Sequence, residues 1–74
     1  MEKLKVGIIG AGRIGQVHAK SITYHIPQAE IVAISDIYVD GAKKVAAELG
    51  IPNAYQDYHD ILNDPEINSV LICS

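Results

Sequence analysis

The chain has 74 residues, nine acidic and six basic side chains, and a formal net charge of −3. So short a chain buries only about 60% of the surface it exposes when unfolded, which allows one domain at most, or part of one. Its 49% apolar and 20% charged residues fit a globular chain and argue against disorder. The acidic balance, without a Lys/Arg cluster, argues against nucleic acid, and no apolar run approaches the roughly 20 residues of a bilayer span.

The first element, Leu4–Ile9 (LKVGII), is a short apolar run ending in glycines, the pattern of a buried parallel strand. Lys3 and Lys5 precede Val6–Gly12 as in a signal peptide, but Arg13 interrupts that apolar stretch and no cleavage pattern follows. The expected location is the cytoplasm, in keeping with one cysteine, Cys73, and no disulfide framework. A helix is predicted over Arg13–His25, with Gly15, Ala19, Ile22 and Ile26 on one face and Pro27 as its stop. Glu30–Ser35 reads as the second strand. Asp40 is placed as the N-cap of a second helix, whose apolar face is Ala42, Val45, Ala46 and Leu49. Gly50 and Pro52 end it. Asn53–Gln56 is expected to be a short edge strand. Asp57 caps a brief helix with Asp60 in its first turn and Ile61 and Leu62 turned inward. Asp64–Pro65 makes a turn, and Ile67–Cys73 is the last strand. The run Ser69–Ser74 has no turn chemistry after it, so the chain is expected to be the N-terminal piece of a longer protein.

Strands alternating with helices imply right-handed crossovers and a parallel sheet covered by helices. The predicted fold is α/β, the first part of a Rossmann-type doubly wound parallel sheet with strand order 3-2-1-4. The order reverses between strands 1 and 4, and that switch point leaves a ligand crevice at the carboxyl ends of the strands.

Gly10–Gly15 (GAGRIG) fits G-x-G-x-x-G at that place. Gly10 permits the tight turn out of the strand, Gly12 lets a pyrophosphate approach the backbone, and Gly15 lets the helix pack closely on the sheet. Free N–H groups around Arg13 and Ile14, with the helix dipole, then favour phosphate. By itself the motif also describes a glycine-rich turn without a ligand. Its context is that of a dinucleotide site: it follows a strand, opens a helix, and has an acid, Asp36, 21 positions beyond Gly15 at the end of the second strand. The fingerprint asks for about 20, because that acid accepts hydrogen bonds from the adenosine ribose.

The other chemistry-bearing residues give less. His18 is a helix-flank histidine for which a structural hydrogen bond is favoured over a view of the crevice. His18 and His25 lie too far apart for one metal ion, and His59 has no partner in the sequence. Cys73 reads as a small buried hydrophobe. The tyrosines at 24, 38, 55 and 58 are expected at half-buried positions. No Ser/His/Asp or Cys/His nucleophile can be assembled.

Lys5–Gly15 (KVGIIGAGRIG) with His18-Ala19, Pro27–Ala33 (PQAEIVA) leading to Asp36, Tyr55-x-Asp57-Tyr58, Asp64-Pro65 and Ile67–Val70 (INSV) before Cys73-Ser74 together carry a resemblance. The whole chain resembles the N-terminal domain of the glucose–fructose oxidoreductase / inositol dehydrogenase family, and within it the inositol 2-dehydrogenases. The resemblance implies an NAD(P)-dependent dehydrogenase of about 330 residues, well beyond one domain. It implies a Rossmann domain, a C-terminal α/β substrate domain whose open sheet forms homo-oligomers, and a sugar or cyclitol oxidised at a secondary hydroxyl. The family's catalytic lysine, in a Glu-Lys-Pro motif, and its Asp and His partners lie beyond these residues. Only the cofactor site carries over: Gly10, Gly12, Arg13, Ile14, Gly15 and Asp36, with Ile37 flanking the adenine and Cys73 and Ser74 near the ribose on the nicotinamide side. On this reading residues 1–74 are the N-terminal part of an NAD-binding domain and contain no catalytic residue. The alternative is a non-catalytic module that binds or senses NAD. An FAD enzyme shares the glycine turn, but the Pro27 loop and the Tyr55–Val70 signature lean against it, and the spacing of the third glycine leans against a methyltransferase.

Overall fold

The computed structural model describes residues 3–73. Seven elements alternate: β1 (Leu4–Ile9), α1 (Arg13–His25), β2 (Ala29–Ser35), α2 (Val39–Leu49), β3 (Asn53–Tyr55), α3 (His59–Leu62) and β4 (Ser69–Ile72). The strands form one parallel sheet in the order β3-β2-β1-β4. This is the predicted topology, and β1 lies at the switch point between β2 and β4.

The apolar pattern sets the layers. β1 and β2 are central, and Val6, Gly7 and Ile8 and all of Ile31–Ser35 are buried, as expected for strands covered on both faces. Ile8 and Ile34 form the middle of a core with Ala19 from α1 and Ala42, Val45 and Ala46 from α2. The register slips by one residue between Val6 and Gly7, which pair with Ile31 and Ala33. On the Gly7 side a Cβ would stand 2.5 Å from Ile61 Cγ2 and 3.0 Å from Ile67 Cδ1, so α3 and the segment after it are seated directly on β1. Gly50 ends α2 in the left-handed region (φ 71°), and the Ile51 N–H donates to the Ala46 carbonyl.

Several boundaries differ from expectation. α2 begins at Val39 with Tyr38 in the N-cap position, so Asp40 sits in the first turn instead of capping it. β2 starts at Ala29 and β3 stops at Tyr55. β4 starts at Ser69, not Ile67: Ile67 packs towards Gly7, and the Asn68 side chain accepts the Lys5 N–H (3.1 Å) while its own N–H donates to the Lys5 carbonyl (3.0 Å). Ile26 is the exposed C-cap of α1, outside the helix's buried face. Ile61 is buried as predicted, but Leu62 is exposed. Among the described residues no helix is long and apolar enough to cross a membrane.

Candidate functional site

The carboxyl ends of β1, β2 and β4 converge on the glycine turn. The Gly10 N–H donates to the Ser35 carbonyl (2.7 Å), and the Cys73 N–H donates to the Ile9 carbonyl (2.8 Å). Gly10 has φ 109°, a conformation that side chains with a Cβ rarely adopt. Gly15 is buried, and a Cβ there would collide with the Gly10 carbonyl oxygen. The turn and the first turn of α1 are therefore locked together by the absence of two side chains.

Gly12 is different. It is the N-cap of α1, it is exposed, and nothing lies within 4 Å of the position a Cβ would take. The first helical hydrogen bond runs from Gln16 N–H to the Gly12 carbonyl (2.9 Å), so the N–H groups of Arg13, Ile14 and Gly15 have no intrahelical acceptor. No side chain caps them and no acid stands in the first turn of α1. Unpaired donors, the positive helix end and open space above Gly12 suit an anionic group. Arg13 and Ile14 are exposed on the same turn.

Asp36 follows β2 and is half-buried. Its Oδ2 accepts the Ala11 N–H (2.8 Å) and its Oδ1 accepts the Tyr38 N–H (2.9 Å). The spacing in sequence points to this acid. The bond that ties it to the middle of the glycine turn has no sequence signal. A carboxylate has about four acceptor directions, so two remain for hydroxyl groups of a ligand beside the turn. Ile37, next in the chain, is 74% exposed. Cys73 is half-buried at the end of β4, and burial pushes its thiol pKa up, away from thiolate chemistry. Ser74 lies outside the described residues.

A cavity of about 420 Å³ opens beside these groups, with Gly10 and Asp36 in its wall. Ile9, Ser35, Ile37, Tyr58, Leu62 and Ile72 also line it. The Ser35 hydroxyl is buried and has no hydrogen-bond partner among the described residues. Sequence reasoning missed Tyr58 and Leu62 as cavity residues, because they reach it only once α3 packs over β1 and β2. It also assigned the tyrosines half-buried positions. Tyr55 is half-buried, while Tyr24, Tyr38 and Tyr58 are exposed. His59 does have a partner: its Nδ1 lies 2.7 Å from Asp57 Oδ1. His18 is exposed, and no group of three or more metal-ligating side chains occurs among the described residues.

A parallel sheet with a switch point, a glycine turn at a helix N-terminus and an acid bonded to that turn define a dinucleotide-binding half of a Rossmann fold. The profile of the oxidoreductase family, NAD-binding Rossmann fold (GFO_IDH_MocA), matches residues 4–74, and the chain belongs to that family. It is 39% identical over 71 residues to the myo-inositol 2-dehydrogenase of Thermotoga maritima, covering 96% of this chain and 21% of that protein. The crystal structure of myo-inositol dehydrogenase from Lactobacillus casei in complex with NAD(H) and myo-inositol superposes with a TM-score of 0.91 at 33% identity, covering 97% of this chain and 22% of that one. The scyllo-inositol dehydrogenase of the same organism, with bound NAD(H) and scyllo-inositol, superposes with a TM-score of 0.90 at 30% identity, over 99% of this chain and 22% of that one. The chain thus spans about a fifth of the length of the relatives it matches.

Proposed function

We propose that these residues form the NAD site of a dehydrogenase that oxidises a secondary hydroxyl of an inositol or related polyol. The observation that carries this reading is the Ala11 N–H to Asp36 hydrogen bond (2.8 Å), which holds a carboxylate against an anion-receptive helix end. The pyrophosphate lies over Gly12 and takes hydrogen bonds from the N–H groups of Arg13 and Ile14, with Gly10 and Gly15 keeping the turn in shape. Asp36 accepts the adenosine ribose hydroxyls, and Ile37 flanks the adenine. Cys73 and Ser74 border the ribose on the nicotinamide side. The bound nicotinamide supplies the hydride acceptor. The work of this chain is to grip and orient that group.

Residues 1–74 are read as the N-terminal part of the NAD-binding domain, with the polyol and its proton acceptor held by the remainder of that domain and a substrate domain, of the kind the relatives' greater length accommodates. The substrate class follows from the named relatives, which are myo- and scyllo-inositol dehydrogenases. We place the protein in the cytoplasm, where a pyridine-nucleotide pool is available, and read the whole enzyme as a homo-oligomer. The test is to mix the purified chain with NAD and myo-inositol, following NAD binding by calorimetry and NADH by its absorbance. Saturable NAD binding without NADH formation is expected. Absence of binding contradicts the cofactor assignment, and NADH formed above a no-protein control contradicts the placement of the chemistry elsewhere.

A further inference from the structure

The cavity beside the glycine turn has a largely apolar surface, to which Ile9, Ile37, Leu62 and Ile72 contribute, with Gln56 at its margin and Tyr58 as the one aromatic residue among the described residues that line it. Tyr58 stands at the N-cap position of α3, and its carbonyl accepts the N–H groups of Ile61 (3.0 Å) and Leu62 (3.2 Å), which fixes its backbone. The ring has a stacking partner. The His59 imidazole stacks on it with centroids 4.2 Å apart and planes 29° from parallel. His59 is itself held twice by one oxygen: Asp57 Oδ1 accepts the His59 backbone N–H (2.9 Å) and lies 2.7 Å from Nδ1. Those hydrogen bonds hold the Asp57 carboxyl below its usual pKa. Three consecutive residues thus form an ordered unit on an exposed helix start, where free side chains would otherwise move among rotamers.

Gly10 and Asp36 share the cavity wall with Tyr58. A dinucleotide with its pyrophosphate over Gly12 and its adenosine ribose on Asp36 delivers its base into this space. Its volume of about 420 Å³ falls within the range of small-molecule sites. Ser35 lines the same wall, and its buried hydroxyl has no hydrogen-bond partner among the described residues.

We propose that Tyr58 is the aromatic wall against which the adenine ring packs, and that the Asp57–His59 pair is a positioning brace that holds it there. The inference rests on the NAD-site reading above. Stacking of a nucleobase on an aromatic side chain supplies affinity without demanding a hydrogen-bond pattern, so the phenol hydroxyl is dispensable and the ring is not. His59 touches no part of the cofactor and acts only through Tyr58.

The experiment is a calorimetric titration of the purified protein with adenosine 5′-monophosphate, alongside proton NMR of the adenine H2 and H8 resonances. Tyr58→Leu keeps an apolar side chain on the helix and Tyr58→Phe keeps the ring, and melting curves confirm that each variant folds. Tyr58→Leu is expected to weaken the nucleotide at least about tenfold, about 1.4 kcal/mol, and Tyr58→Phe by no more than about twofold. The ring current of residue 58 shifts the adenine protons upfield in the wild type and in Tyr58→Phe, and that shift disappears in Tyr58→Leu. His59→Ala weakens binding about threefold, and His59→Phe, which restores a stacking ring, recovers it. Wild-type affinity in Tyr58→Leu, or no upfield shift in the wild type, overturns the wall. Failure of His59→Phe to recover what His59→Ala loses overturns the brace. A wild type that binds neither adenosine monophosphate nor NAD overturns the underlying site, and that result appears before any variant is made.

Discussion

The three glycines of the turn are one residue type in three mechanical situations, and substitution separates them. At Gly12 an added methyl meets nothing within 4 Å, so the folded chain accepts alanine there. The cost is that of a poor N-cap, about 0.5–1 kcal/mol. The same methyl occupies the space through which a pyrophosphate reaches the α1 N–H groups. Gly12→Ala should therefore melt close to the wild type and bind NAD at least about tenfold more weakly, a loss of about 1.4 kcal/mol. At Gly15 the methyl runs into the Gly10 carbonyl, which belongs to the backbone and cannot swing aside. Gly15→Ala should lose about 1–3 kcal/mol of stability, which lowers the midpoint of a chain this small by more than about 5 °C. Melting curves followed by circular dichroism, paired with NAD titrations, test both. Equal melting losses in the two variants would contradict the division of roles.

Among the elements, α3 is the shortest helix and the one that closes the site. Ile61, 1% exposed, drops from it onto Gly7 of β1, with Ile67 alongside. Gly7→Ala places a methyl 2.5 Å from Ile61 Cγ2, which has no solvent to retreat into. The expected outcome is a loss of about 1–3 kcal/mol, with faster hydrogen exchange at the amides of Ile61, Leu62 and Asn63. Unchanged exchange there would show that α3 is not held by this contact. The elements that sequence reading placed well have local punctuation. Arg13–His25 is bracketed by the glycine turn and Pro27, and the α2 face of Ala42, Val45 and Ala46 ends at the left-handed Gly50. The misplaced boundaries are those decided at a distance. Ile67 reads as strand because it is apolar, but it is drawn out of β4 by Gly7, while Asn68 takes up the Lys5 N–H in its place. Asp40 reads as a cap because of its type, but the carboxylate that accepts the Tyr38 N–H ahead of α2 is Asp36. The glycine cradle and Asp36 were legible because their spacing is local. Tyr58 and the cavity were not, because they depend on how α3 folds back over β1 and β2.

For the molecule as a whole, the sheet formed by the described residues has β3 and β4 as its edges, and they are unequal. β3 has three half-buried residues, whereas β4 exposes Val70 and Ile72, the latter by 69%. An apolar edge with unpaired backbone groups recruits further strands, and α1 adds Ile14, Val17 and Tyr24 as exposed apolar side chains. The isolated chain should associate as its concentration rises, and Ile72→Lys should reduce that association. Light scattering across a dilution series checks this, and a wild type that remains monomeric throughout contradicts it.

The central claim is that this surface is an NAD site selected by Asp36. On that claim the ribose hydroxyls meet the two free acceptor directions of the carboxylate, and the residues that follow, Ile37 and Tyr38, bring no positive charge. A 2′-phosphate would remove a donor and add a negative charge. At an effective dielectric of about 20, unit charges about 4 Å apart repel by about 4 kcal/mol before screening. Asp36→Asn keeps an oxygen for the Ala11 N–H and removes the charge, so it separates repulsion from loss of the turn's anchor. The direct measurement is the ratio of NAD to NADP dissociation constants in the wild type and in Asp36→Asn. The expected result is at least about a tenfold preference for NAD, equivalent to about 1.4 kcal/mol, shrinking in the variant. Equal affinities in the wild type, or a ratio that Asp36→Asn leaves untouched, would contradict it.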